Sequence, residues 1–247
     1  CDAADFVPFD FWKQAIDSLR AIPHHPLLLL AEGKRKDHFA AGFDMNYAWD
    51  FLEGIRNVFV KDSCVTTLLD IAHAEYDTIP VGKVKLRFIT NHDEMVKMSP
   101  VKEFGGERGA MAAFVLSSYL QGGALIYSSQ EVAFPGCVDF FHYCHVDWNA
   151  KNEIRKEYEI LMRLYNDYPA IRKGHLEVYP DCNIAAFQKE LAQERFLVAV
   201  NVRNAARTFL LPKEWAGHEC IDACKDTLDV LPDTLCLAPY EYRILKY

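Results

Sequence analysis

Short apolar runs that end abruptly in acidic side chains are the feature that most constrains the fold of this chain. Residues 27–30, all leucine, lead through one alanine to Glu32, and the apolar run at residues 88–90 is followed within three residues by Asp93. The chain itself opens on a cysteine followed by Asp2. A short apolar run bounded by polar residues or glycine is typical of a strand buried on both faces of a parallel sheet. Three carboxylates are therefore expected where strands end.

Each of these acidic residues also has a simpler interpretation. A lone carboxylate after a buried strand is more often a helix N-cap or a solvated loop charge than a catalytic group, but three at successive strand ends favour one shared site. The leucine run fits a buried helix less well than a strand, because Pro23 and Pro26 before it and Gly33 behind it leave too little length. In (β/α) barrels the carboxyl ends of the strands carry the chemistry. We therefore expect the three carboxylates to form one site.

The composition is typical of a globular enzyme. Of 247 residues, 51% are hydrophobic and 25% are charged, which is enough apolar material for a sizeable core. The net charge of −8 disfavours binding to nucleic acid or to an anionic membrane, since those surfaces attract clustered lysine and arginine. No segment approaches the ~20 consecutive apolar residues that cross a bilayer. We expect neither a nucleic-acid partner nor a membrane span.

The cysteines suggest no metal site. Eight are scattered along the chain without a C-x-x-C pair or a cysteine/histidine spacing that suits structural zinc. A chain of this size does not need disulfides to fold, so mostly free thiols are expected. Cys137 with Cys144, or Cys220 with Cys224, could pair under oxidation.

The predicted secondary structure of the chain changes near residue 174. Apolar periodicity predicts helices over about residues 10–22, 49–60, 65–71, 110–120 and 152–168, and strands over 27–31, 43–47, 84–90 and 124–127. This alternation predicts parallel β/α units in residues 1–173. Residues 174–247 instead contain short β-type runs at 183–189, 196–202, 208–211, 235–237 and 240–245, which predict a small antiparallel domain. Only about four strand–helix units precede it, whereas a closed barrel needs eight, so the chain is expected to be part of something longer.

With these residues in view, the chain resembles glycoside hydrolase family 13, the α-amylase family, over essentially its full length. Residues 1–7 (CDAADFV) are similar to the end of the R-x-D-A-A-x-x-V motif on the fourth barrel strand, and residues 30–33 (LAEG) to the fifth-strand motif. Residues 89–93 (ITNHD) resemble the seventh-strand N-H-D motif. Residues 125–131 (LIYSSQE) look like the eighth-strand segment, with Ser129 in place of the usual glycine.

The resemblance implies a role for each site residue. Asp2 corresponds to the nucleophile, Glu32 to the general acid/base and Asp93 to the residue that stabilises the transition state. His92 is expected to contact the sugar, although a core histidine that caps its own strand is the alternative. Substrate contacts are also expected from Asn91, which could equally be a turn former. Asp5 is expected to contact the substrate because it stands where many α-amylases carry a lysine that binds it. His38 lies in the loop after the fifth strand and is a third expected contact, although a solvated loop is an equal alternative.

The residues themselves suit that chemistry. Retaining glycosidases hold an ionised nucleophile and a protonated acid about 5–5.5 Å apart. Neighbouring parallel strands lie roughly 4.8 Å apart, so Asp2 and Glu32 at adjacent strand ends can face one glycosidic bond. Desolvation and the charges of Asp2 and Asp93 should raise the pKa of Glu32.

The expected fold is therefore α/β: a partial TIM (β/α)8 barrel, about strands 4–8, followed by a small antiparallel β-sandwich domain. The expected function is a retaining glycoside hydrolase that acts on α-glucans or maltooligosaccharides. The alternatives are a transglycosidase, a sucrose- or trehalose-acting relative, and a non-catalytic carbohydrate-binding fragment. No cofactor is expected in this chain, because the family calcium site should lie in the N-terminal part that it lacks. The exposed edge of a partial barrel predicts association with another copy or with the missing segment.

Overall fold

Four parallel strands form the sheet that positions the site. A computed structural model describes residues 1–247. The strands lie side by side in chain order: β1 (Leu30–Ala31), β2 (Met45–Tyr47), β3 (Val84–Arg87) and β4 (Gly123–Ala124). Each pair is parallel, so each connection must cross over the sheet, and helices supply these crossovers.

These strands are shorter than the sequence predicts. Residues 88–90 are buried like the strand before them, but they carry no ladder bonds because β2 ends opposite Leu86 and β4 ends opposite Arg87. The first residues of the chain run beside β1 instead. The N–H of Glu32 donates to the carbonyl of Cys1, and the N–H of Ala4 donates to the carbonyl of Glu32, both at 2.9 Å. Asp2 is thereby held at the end of β1.

Nine helices connect and cover the sheet. The five longest correspond to the helices predicted from apolar periodicity, and two of the short ones begin at a proline, Pro100 and Pro169, where a missing N–H is tolerated. The longest is Asn152–Asp167, and the most buried is Glu107–Leu120, whose residues from Gly109 onward are all buried. The helices are α1 (Phe9–Arg20), α2 (Asp37–Ala41), α3 (Trp49–Val60), α4 (Val65–Tyr76), α5 (His92–Met95), α6 (Pro100–Glu103), α7 (Glu107–Leu120), α8 (Asn152–Asp167) and α9 (Pro169–Lys173).

The remaining strands are antiparallel. Six form a sheet in the order β10-β9-β12-β7-β6-β5, and two form the β11-β8 pair. The five β runs predicted after residue 174 are all present with shifted bounds, whereas β5, β9 and β10 have no counterpart in the prediction. The strands are β5 (His175–Tyr179), β6 (Ile184–Leu191), β7 (Glu194–Asn201), β8 (Arg207–Leu210), β9 (Glu219–Asp222), β10 (Thr227–Val230), β11 (Thr234–Leu237) and β12 (Tyr242–Lys246).

The largest apolar core joins the helical and the antiparallel parts. It contains 34 buried residues, among them Phe114 of α7, Leu161 of α8 and Val198 of β7. A second core of 12 residues lies between the six-stranded sheet and the β11-β8 pair, around Trp215 and Phe209. The division at residues 173 and 174 stays a prediction, since the main core extends to both sides of it.

One disulfide links the two parts. Cys64, just before α4, is bonded to Cys182, just before β6, across 118 residues of sequence. Arg203 reinforces this contact by donating to the carbonyls of Ser63 at 2.6 Å and Cys182 at 2.9 Å. The other six cysteines are free thiols, including both pairs that the sequence suggested for oxidation. No helix of the structure combines the length and the apolar character needed to cross a bilayer.

Candidate active site

Asp2 and Glu32 meet at the carboxyl end of β1. The backbone N–H of Ala3 donates to Oε2 of Glu32 at 3.0 Å, and the carboxyl group of Asp2 lies beside that of Glu32. The pairing of residues 1–4 with β1 produces this contact, because it places both side chains at the same strand end. The two carboxyl groups that the sequence assigns to acid and nucleophile are therefore neighbours.

His92 connects this pair to the third carboxylate. Its Nε2 atom lies 3.2 Å from Oε1 of Glu32 and 3.5 Å from Oδ1 of Asp93. His92 and Asp93 both belong to the short helix α5, which follows the buried run 88–90 and the capping residue Asn91. The side chain of Asn91 caps this helix by accepting the N–H of Glu94 at 2.9 Å. The three predicted carboxylates are therefore brought to one place.

The surroundings keep Glu32 protonated to a higher pH than a free glutamic acid. Burial is the main cause that raises the pKa of Glu32, and the hydrogen bond and negative charge of Asp2 add to it. The N–H of Ala3 and the imidazole of His92 oppose the shift. His92 lies at ion-pair distance but is not aligned as a hydrogen-bond donor, so Oε1 of Glu32 is buried without one. The direction of this shift is the one that a general acid requires.

Tyr47 is a site residue that the sequence reasoning missed. Only 7% of it is exposed, and its pKa is raised by burial and then by the charges of Glu32, Asp93 and Asp2. The charges of all three carboxylates therefore act on the phenol of Tyr47, which stays a neutral hydrogen-bond donor. Tyr47 is the last residue of β2, so the strand-end rule applied to the acidic residues would have identified it had it been extended to phenols.

Asp5 and His38 lie beneath the site. Asp5 accepts hydrogen bonds of 3.1 Å from the N–H groups of Lys34 and Arg35, and its Oδ1 lies 3.5 Å from Nε2 of His38. His38 is 1% exposed, and burial lowers its pKa. A Cβ atom on Gly33 would come within 2.4 Å of Oδ1 of Asp5, so this close approach requires glycine. Both side chains support the loop that follows Glu32.

His38 and Asn91, two of the residues predicted to contact the substrate, are buried. Each is 1% exposed, so neither side chain is open to a ligand in this structure. Asn91 is occupied as the cap of α5, the turn-forming alternative that the sequence left open. His92, by contrast, faces the carboxylates and is 40% exposed at its side chain.

Arg56 of α3 anchors the helix that carries His92 and Asp93. It donates at 2.5 Å to Glu94 and at 2.6 Å to Glu103 of α6. The pKa of Glu94 is lowered, because two cations, Arg56 and Lys97, outweigh its burial. The pKa of Glu103 is raised, because its burial outweighs a single cationic partner. The network thereby links α5 to α3 and α6.

An aromatic wall borders the site. The ring of His92 lies 6.3 Å from that of Phe140 and 6.5 Å from that of Tyr127. Phe140 and Trp49 also line a cavity of about 380 Å³ that opens beside Asp93. Apolar ring faces therefore lie next to the ionisable side chains of His92 and Asp93.

The group Glu32, His92 and Asp93 could hold a metal ion, since its ligand atoms lie within 4.8 Å of one another. Calcium prefers about six to eight oxygen ligands, whereas this group offers one imidazole nitrogen and two carboxylates. These residues therefore do not fit the calcium site that the resemblance implies.

No protein-family model and no curated protein sequence matches the chain. Solved structures do match. An α-amylase from Lactobacillus plantarum is 20% identical, with a TM-score of 0.84, and the match covers 100% of this chain and 62% of that one. A noncanonic maltogenic α-amylase from Thermotoga neapolitana is 19% identical, with a TM-score of 0.82, covering 100% and 60%.

A cyclic α-maltosyl-(1→6)-maltose hydrolase from Arthrobacter globiformis, in complex with that sugar, is 19% identical, with a TM-score of 0.78, covering 100% and 55%. The chain thus spans roughly three fifths of the length of these proteins. It has the fold of the corresponding part of each.

Proposed function

We propose that this chain forms part of a retaining glycosidase of the α-amylase family that acts on α-glucans. The observation that carries the proposal is the position of Asp2 beside Glu32 at the end of β1, in surroundings that raise the pKa of Glu32. One carboxylate that ionises beside one acid that keeps its proton is the pairing that glycoside hydrolysis requires. The shared fold with amylases and a maltose-type hydrolase supports the substrate class.

Each step of the proposed glycosidase reaction can be assigned to a residue of the site. Glu32 donates its proton to the glycosidic oxygen as the bond from that oxygen to the anomeric carbon breaks, and a carboxylate oxygen of Asp2 bonds to the anomeric carbon. Glu32, now ionised, takes a proton from water, whose oxygen attacks the same carbon and releases Asp2. Asp93 and His92 hold the sugar hydroxyls, and the negative charge of Asp93 balances the positive charge of the transition state.

We propose retention rather than inversion because the carboxyl groups of Asp2 and Glu32 lie at neighbouring strand ends. Inverting enzymes separate them by roughly 6.5–9.5 Å to leave room for a water molecule, and retaining enzymes by roughly 5–5.5 Å. The pairing of residues 1–4 with the end of β1 places Asp2 and Glu32 at neighbouring positions, which favours the shorter separation.

We further propose that the parallel sheet belongs to a larger (β/α)8 barrel and that further protein covers its apolar face. Leu28, two residues before β1, is 72% exposed, and Leu30, Met45 and Leu125 are only partly buried. Covering such a face removes apolar surface from water. The chain is expected to associate with a further part of the same protein or with another copy, and light scattering that finds a lone monomer at micromolar concentration would contradict this. The calcium site stays a prediction about residues outside this chain.

The test is the stereochemistry of the first product released by the complete enzyme from maltooligosaccharides, followed by proton NMR. The α-anomer should appear first, and an initial β-anomer excludes the proposed roles. Glu32→Gln should lower kcat by about 10²–10⁴-fold and remove the loss of activity that accompanies rising pH. Glu153→Gln, an exposed change on α8, is the matched control. Release of reducing ends separates a hydrolase from a transglycosidase, which conserves the bond.

A further inference from the structure

A second cavity lies on the opposite side of β2 from the carboxylates. Side chains alternate between the two faces of a strand, so Asn46 points away from the side that Tyr47 faces. Asn46 lines a cavity of about 260 Å³ together with Lys85 of β3 and residues of α4. This volume approaches the lower end of small-ligand sites, roughly 300 Å³.

Lys85 provides a buried cation at this cavity. It is 5% exposed, and its Nζ donates to Oδ1 of Asn46 at 2.7 Å. An ammonium has three donors, and no carboxylate forms an ion pair with this one. Burying a charge without a partner is costly, and burial accordingly lowers the pKa of Lys85. An anion in the cavity would supply the missing partner.

The other charged groups of the cavity leave an excess of positive charge. Asp50 pairs with Lys34 at 2.7 Å, and Glu75 pairs with Arg87. Both acidic residues are therefore already neutralised by other cations. Lys36 also lines the cavity, is exposed and forms no ion pair. Lys36 and Lys85 are the two cations that remain without an acidic partner.

We propose that this cavity binds the phosphate group of a small molecule, with Lys85 at its base and Lys36 at its mouth. Phe39, Ile71 and Ile79 line the remaining wall and can contact the apolar part of a phosphorylated sugar. Asn46 acts as a positioning residue, since its Oδ1 orients the ammonium of Lys85 and its amide donates to the carbonyl of Arg35 at 3.1 Å. The site shares β2 with the carboxylate site but none of its residues.

The test is calorimetric titration of the whole chain with inorganic phosphate, at constant ionic strength maintained with sodium chloride. Saturable binding is expected. Lys85→Met should weaken it by at least tenfold, and Lys36→Met by severalfold, because each removes one cation. Lys61→Met, an exposed change elsewhere on the surface, is the matched control and should bind like the unaltered chain.

Absence of saturable binding, or equal affinity in the unaltered chain and Lys85→Met, overturns the proposal. Near-UV circular dichroism shows whether Lys85→Met keeps its tertiary structure. If it does not, Lys36→Met decides, and an unchanged affinity there overturns the proposal. Tighter binding of glucose 6-phosphate than of phosphate identifies a sugar phosphate as the ligand, and equal binding identifies free phosphate. No glycosidic bond is cleaved in this assay, so its result is independent of the proposed glycosidase activity.

Discussion

The Nε2 atom of His92 lies 3.2 Å from Oε1 of Glu32 and joins the helix after β3 to the end of β1. The two atoms are at ion-pair distance without the alignment of a hydrogen bond. A rotation of either side chain would align them. A sugar hydroxyl beside them could contact both atoms, which makes this pair a suitable place for a substrate group.

His92→Ala should lower kcat/KM of the complete enzyme for maltooligosaccharides by roughly 10- to 100-fold. The reason is the loss of one hydrogen bond to a group that carries charge during the reaction, worth about 1.5–3 kcal/mol. Steady-state kinetics measures the change. His73→Ala alters a histidine that is exposed on α4 and should leave kcat/KM unchanged. Equal kinetics for His92→Ala and the unaltered enzyme would exclude this role.

Arg56→Met should lower the free energy of unfolding by roughly 3–5 kcal/mol at neutral pH, because it leaves Glu94 and Glu103 buried without their shared partner. The lowered pKa of Glu94 contributes stability that is present above its ordinary value and is lost as pH falls. The difference between variant and unaltered chain should therefore shrink in acid. Urea denaturation at pH 7 and pH 4 measures both effects. Arg155→Met, which removes an exposed pair, should cost less than about 1 kcal/mol.

Lys189→Met should stabilise the chain by about 1–2 kcal/mol at pH 7. Lys189 is 1% exposed, its Nζ has only the carbonyl of Leu120 at 3.2 Å as a partner, and burial lowers its pKa to about 8. The unfolded chain therefore binds a proton that the folded chain releases between pH 8 and the ordinary value of 10.5. Stability of the unaltered chain should rise across that range, and the advantage of Lys189→Met should fall. Lys213→Met on the surface should show neither effect in denaturation at pH 7, 9 and 10.5.

Reduction of the Cys64–Cys182 disulfide should lower the free energy of unfolding by about 2–4 kcal/mol. The bond closes a loop of 118 residues and so restricts the unfolded chain. Thermal unfolding with and without dithiothreitol measures the effect, and Cys64→Ala with Cys182→Ala should reproduce it. Cys137→Ala, which removes a free exposed thiol, should not. A reductant that leaves the midpoint unchanged would contradict a linking role for this bond.

Much of the fold could be predicted from the sequence, because its signals are local. Alternating apolar runs and helical periodicity predicted the parallel sheet, and short β runs predicted the antiparallel part. The bounds of the strands were less predictable, because the hydrogen-bonded pairing of a strand ends where the adjacent strand ends. Residues 88–90 have the apolar pattern of a strand and are buried, yet no adjacent strand pairs with them. Strands β9 and β10 have exposed and polar positions, so their sequence lacks the apolar alternation of a strand.

The sequence by itself predicted that Asp2, Glu32 and Asp93 belong together, because Glu32 and Asp93 follow buried apolar runs and residues 1–7 resemble a strand-end motif. Only the tertiary structure decided which other polar side chains face them. It buried His38 and Asn91, brought Tyr47 into range of all three carboxylates and left Lys85 without an acidic partner. Burial and charge pairing depend on the elements that pack together, often from distant parts of the chain, and no local pattern of residues contains that information.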